Sequence, residues 1–261
     1  PVIAKNVAPW ARLRRPMVAG TTLISSEREL LDRFGARPDL SGMLLQEYIP
    51  HEVAQDWFVH AYCDESADAV ASFVGRKAYS WPPRRGVTAD ARSADNPALA
   101  ALTAKFCAQI GYRGINDLDW RYDGRDERFK LVDFNPRLGA QFRFGQTDAG
   151  LDVVRALHLT LTGRAIPPGA QDHSRRLVVE NVYLPARLVY RLSGLPTIPV
   201  PVDTHSHGAW REGSGRDPVP LLMLAIRFVG PAAVAACRLL YGSARRVLRR
   251  LARRRASTGR R

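Results

Sequence analysis

Between Gly114 and Gly139 the chain reads GINDLDWRYDGRDERFKLVDFNPRLG, and no other stretch constrains the fold as tightly. Two alternating polar and apolar runs, roughly 114–122 and 129–135, flank the turn-rich Asp123-Gly124-Arg125-Asp126. That is the pattern of a β-hairpin. With the turn centred near Asp126, Asp119 faces Asp133 and Asp117 faces Asn135. Side chains alternate along a strand, so these four share one face. Leu118, Trp120, Tyr122, Val132 and Phe134 share the other and are expected to pack on the core.

Directly paired strand residues have Cβ atoms roughly 4.5–5.5 Å apart, and like charges at that distance are destabilising. Three carboxylates on one face therefore need compensation, and two forms are open. One is a divalent cation: oxygen donors without sulfur or imidazole suit Mg²⁺, which takes one or two carboxylates and leaves its other positions to water and phosphate. The other is a solvated hairpin whose acids pair with Arg121, Arg125 and Arg128.

Upstream, the apolar run 1–4 reads as a strand ending at Lys5, followed by a basic loop from Trp10 to Arg15. Residues 21–24 have strand character. Ser26 and Glu29 stand at capping-box spacing before Leu30, Leu31 and Phe34, and Gly35 closes that helix. Strands are expected over 43–49, 57–62 and 69–79, with Pro82-Pro83-Arg84-Arg85-Gly86 as a loop that serves either as a rigid connection or as a lid. Asn96-Pro97 opens a helix whose apolar face is Leu99, Leu102, Phe106 and Ile110, ended by Gly111. A further helix over 151–161 places Val154, Leu157, His158 and Leu161 on one side. Strands and helices mix without a regular βαβ rhythm, so the fold class is α+β.

The segment Val132-Asp133-Phe134-Asn135-Pro136-Arg137-Leu138-Gly139 resembles the acidic-x-Asn-Pro-Arg segment of ATP-grasp enzymes. The resemblance implies that Asp133 and Asn135 bind the Mg²⁺ ions of ATP (Mn²⁺ is the alternative) and that Asp119 completes the metal set, with Asp117 as an added acid. It implies that Arg137 contacts phosphate or an acyl-phosphate. Further segments match in order. Pro1-Val2-Ile3-Ala4-Lys5 is similar to the strand whose lysine binds ATP phosphates. Gln46-Glu47-Tyr48-Ile49-Pro50 looks like the hinge that receives adenine. Asp56 sits where the family places an acid for the ribose hydroxyls, and Lys77 in Gly75-Arg76-Lys77 resembles a contact to the terminal phosphates. Over roughly residues 1–165 the chain looks most like carboxylate-amine ligases of that superfamily.

The implied fold holds ATP between two β-sheet subdomains and ends in a basic helical tail. Residues 1–50 form part of the first subdomain and end at the hinge; 51–170 form the second and carry the hairpin. Residues 171–218 are a C-terminal extension, and 219–261 a helical segment with an Arg-rich tail. The implied reaction activates a carboxylate with Mg-ATP and couples it to an amine. Two departures stand out: the loop after Lys5 is rich in Arg and Trp where relatives use a Gly-rich flap, and a preceding N-terminal domain is expected to be missing.

The net charge of +14 over 261 residues raises the question of nucleic acid, but nine arginines lie in the last 17 residues, and without them the charge falls to +5. The basicity belongs to the tail, so specific nucleic-acid binding is not expected of the body. Three cysteines (Cys63, Cys107, Cys237) without metal spacing suit a reducing cytoplasm. No signal peptide is read near Pro1. His205-Ser206-His207 reads as a polar loop or, less simply, two metal ligands. Residues 219–237 carry one charge, Arg227, and read as a span, a membrane-surface helix or a helix pair packed on the domain. The tail, with Val247, Leu248 and Leu251 among arginines, reads either as a peripheral anchor at the inner face of an anionic membrane or as a disordered polycation that binds any polyanion weakly. Two rival readings remain: a catalytically silent ATP-binding protein, and a membrane- or nucleic-acid-binding module led by the tail.

Overall fold

The computed structural model describes residues 1–8, 16–18, 20–83, 86–199, 204–208, 217–220, 222–224 and 226. The Trp10–Arg15 loop, Arg84 and Arg85 of the expected lid, most of 219–237 and the Arg-rich tail lie outside these residues. In chain order the strands are β1 (Val2–Asn6), β2 (Thr22–Ile24), β3 (Met43–Glu47), β4 (Ala54–Cys63), β5 (Ala69–Trp81), β6 (Val87–Ser93), β7 (Gly114–Asp123), β8 (Arg128–Asn135), β9 (Arg175–Val178) and β10 (His205–Gly208). The helices are α1 (Glu27–Phe34), α2 (Pro97–Gln109), α3 (Val153–Leu161) and α4 (Glu180–Leu192). The class is mixed α+β. Two compact units form, one of Pro1–Lys77 with Arg92–Ser174, the other of Ala78–Ala91 with the chain from Arg175 onward.

The first unit contains two sheets. In the smaller, β1 lies between β2 and β3, antiparallel to both. Ala4, Val18, Ile24 and Phe34 form its core. Ser26 caps α1 by accepting from the Glu29 backbone N–H at 3.2 Å, and Glu29 reaches back to the Ser25 N–H at 2.7 Å. The capping box is therefore present with its return bond displaced by one residue.

The larger sheet of this unit runs β5-β4-β7-β8, with β4 antiparallel to β5 and β7. One of its faces is closed by α2. There Val59, Val74, Leu99, Leu118 and Trp120 are buried together. The buried stripe of α2 is Leu99, Thr103 and Cys107, while Leu102 and Ile110 are 37% and 51% exposed. The stripe is thus rotated from the expected one, because Thr103 and Cys107 are small enough to let the helix approach the sheet. Cys63 and Cys107 are buried free thiols, both facing the Asn116 amide. The opposite face carries α3 at one end, where Leu151, Val153 and Ala156 pack on Tyr62, Ala71 and Phe73. Val154 and Leu161 point outward instead, at 38% and 71% exposure.

The second unit holds elements the sequence did not announce. Its strands follow the order β10-β9-β6, and β9 and β10 pair in parallel through α4. His205 and His207 therefore stand in a strand rather than a loop. Val182 and Ala186 of α4 pack with Ala89, Tyr79 and Trp81. Asp90, fully buried, is held by Arg176 at 2.6 Å, and the Tyr190 hydroxyl meets Ser80.

Candidate active site

The β7–β8 hairpin pairs Asp119 with Asp133 and Asp117 with Asn135, which brings the four polar residues to one face. One irregularity follows: Asp119 pairs with Asp133 but Trp120 pairs with Leu131, so Val132 is an extra residue, a β-bulge. The core face accordingly takes Leu131 and Phe129 beside Phe134, and the expectation that Val132 packs there is corrected. The bulge aims the Val132 carbonyl toward the small sheet. Lys5 Nζ donates to it at 2.8 Å and Gln46 Nε2 at 3.3 Å, with Leu131 O accepting from the same amide at 3.2 Å. Bulges re-aim groups next to functional sites, and here the freed carbonyl positions a lysine beside the acids.

Two arginines of the hairpin pair with other carboxylates. Arg121 turns to Asp56, donating from Nε at 2.8 Å and Nη2 at 2.7 Å. Arg125 turns to Asp123 and Glu47, both at 2.6 Å. The cation on the acid face comes from β5: Lys77 Nζ lies 2.7 Å from Asp119 Oδ1. Asn135 donates to Asp133 at 3.0 Å, and Arg137 folds back to donate to Asn135 Oδ1 at 2.9 Å. Lys5, Gln46, Lys77, Asp119, Asp133, Asn135 and Arg137 thus line one contiguous polar surface. A cavity of about 590 Å³ lined by Ser72, Phe73, Thr147 and Gln171 lies elsewhere and includes none of them.

His60 on β4 was missed. It pairs in register with Asp117, is 1% exposed, and brings Nε2 within 3.1 Å of Asp117 Oδ1. On the other side of that carboxylate Gly139 closes in. A Cβ there would stand 2.3 Å from Asp117 Oδ2, so only glycine fits. Asp117 is therefore a wedged, supporting acid. Only strand pairing between β4 and β7 puts His60 beside it, and nothing local in the sequence signals that pairing.

Burial lifts the Asp119 carboxyl above the ordinary carboxylate range; Lys77 opposes the rise, and the nearby Asp117 and Asp133 charges add to it. Burial also raises Asp117, but His60, Lys77 and Arg137 outweigh it and hold that group below its usual value. Desolvation lowers Lys5, against the pull of Asp133 and Asp119. The face thus combines a carboxyl that resists ionisation, Asp119, with a lysine that burial has partly stripped of its hydration, Lys5.

The residues expected as the hinge close β3 and follow it. Glu47 is bound by Arg125 at 2.6 Å and Lys130 at 3.0 Å, so its side chain is occupied by ion pairs. Tyr48 is half-buried and stands edge-on to His51, and Ile49 is buried with its carbonyl accepting from Arg121 Nη1 at 3.4 Å. Arg121 thereby ties Asp56 to the Ile49 carbonyl. Arg76 of the Gly75-Arg76-Lys77 run faces the other way, its guanidinium 5.5 Å over Trp57.

Among the described residues no group of three or more His, Cys, Asp or Glu side chains stands ready to hold a metal. The donors here are two carboxylates and an amide, and Asp119 is engaged by an ammonium. Such a set would suit Mg²⁺ whose remaining positions are filled by phosphate oxygens, with Asp119, Asp133 and Asn135 as the residues that would hold it.

No family model matches the sequence, and no curated protein does. Solved structures do. Biotin carboxylase from Campylobacter jejuni, in a β,γ-ATP complex, shares 18% identity at a TM-score of 0.45, covering 64% of this chain and 38% of its own. The biotin carboxylase domain of Hydrogenobacter thermophilus 2-oxoglutarate carboxylase, with MgADP, ADP and bicarbonate, shares 15% at 0.46, covering 65% and 38%. N5-carboxyaminoimidazole synthetase from Staphylococcus aureus shares 12% at 0.44, covering 64% and 42%. This chain spans about two fifths of the length of each.

Proposed function

We propose that this chain is the nucleotide-binding and catalytic part of an ATP-dependent ligase that activates a carboxylate and joins it to an amine. The observation that carries this reading is the one-faced array of Asp119, Asp133 and Asn135, with Lys77 on Asp119, Arg137 on Asn135 and Lys5 on the Val132 carbonyl between them. ATP would lie between the two sheets of the first unit, adenine against the backbone of Tyr48 and Ile49 and ribose near Asp56. Mg²⁺ bound with the nucleotide would supply charge neutralisation and in-line alignment of the transferred phosphoryl group.

The chain's own groups do the rest. Lys5 and Lys77 place positive charge on the phosphate oxygens, and Asp119, Asp133 and Asn135 offer oxygens to the cation. A carboxylate oxygen of the substrate attacks the γ-phosphorus and ADP leaves. Arg137, a planar two-donor fork, holds the resulting acyl-phosphate. The amine then attacks the acyl carbon, phosphate departs, and the amine proton passes to solvent or a nearby base. The test is ADP release by the full chain with Mg-ATP against panels of carboxylates and amines. Turnover that requires both an acid and an amine supports the reading. ATP hydrolysis indifferent to every acid, or none at all, overturns it.

A further inference from the structure

The second unit presents apolar surface that its own described residues leave uncovered. Along α4, Val182, Ala186 and Tyr190 are buried at spacing i, i+4, i+8. Two residues on, at about 200° around the helix, Leu184, Leu188 and Leu192 repeat the same spacing at 67%, 57% and 76% exposure. Val219, Leu222, Met223 and Ile226, also at helical spacing, are 58–60% exposed. Single exposed leucines need no explanation, but two helical stripes in one unit mark an interaction surface.

The chemistry of the surroundings selects the occupant. Arg187 and Arg191 are exposed beside the leucine stripe. A second copy seated on this stripe would set its own Arg187 and Arg191 against the same pair, like charge against like. A polyanion such as RNA would satisfy the arginines and leave the leucines in water. An anionic bilayer surface takes both, the leucines entering the acyl boundary and the arginines resting among headgroups. We infer that α4 docks on anionic membrane through Leu184, Leu188 and Leu192, with Arg187 and Arg191 holding the headgroups. Each arginine near such a surface contributes about a fivefold gain in partitioning, screened by salt, whereas the leucine share persists when salt is raised.

The test is co-sedimentation of the full chain with vesicles of equimolar phosphatidylglycerol and phosphatidylcholine, against vesicles of phosphatidylcholine alone, at low and high salt. The parent chain is expected on the anionic vesicles, with a residue of binding that survives high salt. Leu184→Ser/Leu188→Ser/Leu192→Ser should keep the parent's melting temperature, because the three side chains are exposed, and lose the salt-resistant binding by roughly tenfold or more. In Leu188→Trp, the added indole should shift its emission to the blue on the anionic vesicles, relative to the parent chain. Four results would each overturn the inference: unchanged salt-resistant binding in the serine variant, no emission shift in Leu188→Trp while the protein is bound, a parent dimer that the serines dissociate, or a vesicle-free loss of stability in the serine variant, which would mean the chain covers this stripe itself.

Discussion

Replacing Lys77 by methionine removes a charge while keeping the length of the aliphatic stem. Lys77 Nζ and Asp119 Oδ1 are 2.7 Å apart, and the two side chains are 15% and 28% exposed, so the pair is neither dry nor freely solvated. At an effective dielectric near 20 the gross attraction is about 6 kcal/mol. Desolvation of both ions offsets most of that, leaving a net loss of about 2 kcal/mol when one partner goes. For a chain of this size the melting temperature should fall by about 4–8 °C.

The pH dependence sharpens this prediction. Asp119 is already raised by burial and by Asp117 and Asp133, and losing Lys77 raises it further. A carboxyl whose folded pKa exceeds its unfolded value binds its proton more tightly in the fold. Its contribution is therefore most favourable at acid pH and is lost as pH rises from the unfolded value, about 4, through the folded one. The deficit of Lys77→Met relative to the parent should shrink toward pH 4 and be complete at neutral pH. Mg²⁺ without nucleotide should stabilise the variant more than the parent, since the cation can take the ammonium's place. Differential scanning calorimetry across pH, with and without Mg²⁺, reads all three effects. An equal deficit at pH 4 and pH 7, with no response to Mg²⁺, would refute the view that Asp119 belongs to a crowded acidic face.

Arg137→Lys should retain nucleotide affinity in calorimetry and lose turnover, because a point charge does not reproduce a two-donor fork; unchanged turnover would remove Arg137 from the acyl-phosphate. Leu118→Ala, at a fully buried position behind the acid face, should cost about 2–5 kcal/mol in denaturant unfolding, with the Mg²⁺ response of the remaining folded protein unchanged.

The hairpin was legible because its turn residues and strict alternation fix the register, and with it which acids meet. Val132 was placed on the wrong face because a bulge breaks period two without leaving a mark in composition. β6 reads Val-Thr-Ala-Asp-Ala-Arg-Ser, with no bulky apolar alternation; its Asp90 is buried only because Arg176, far along the chain, meets it. The same holds for β9 and β10, whose polar sequences are strands by pairing with each other. The faces of α2 and α3 were misjudged because large residues were weighted over small ones, and small residues are what let a helix approach a sheet. His60 escaped notice because it joins the site through a neighbouring strand.

The central claim is that Asp133 and Asn135 serve magnesium-bound nucleotide. Isothermal titration of ATP into the full chain, with Mg²⁺ and with chelator, tests it most directly when repeated on Asp133→Ala and Asn135→Ala. The account predicts binding in the parent that depends on Mg²⁺ and is weakened about tenfold or more in each variant, the cost of one lost charge-assisted contact. Parent-like, Mg²⁺-dependent binding in both variants would contradict it.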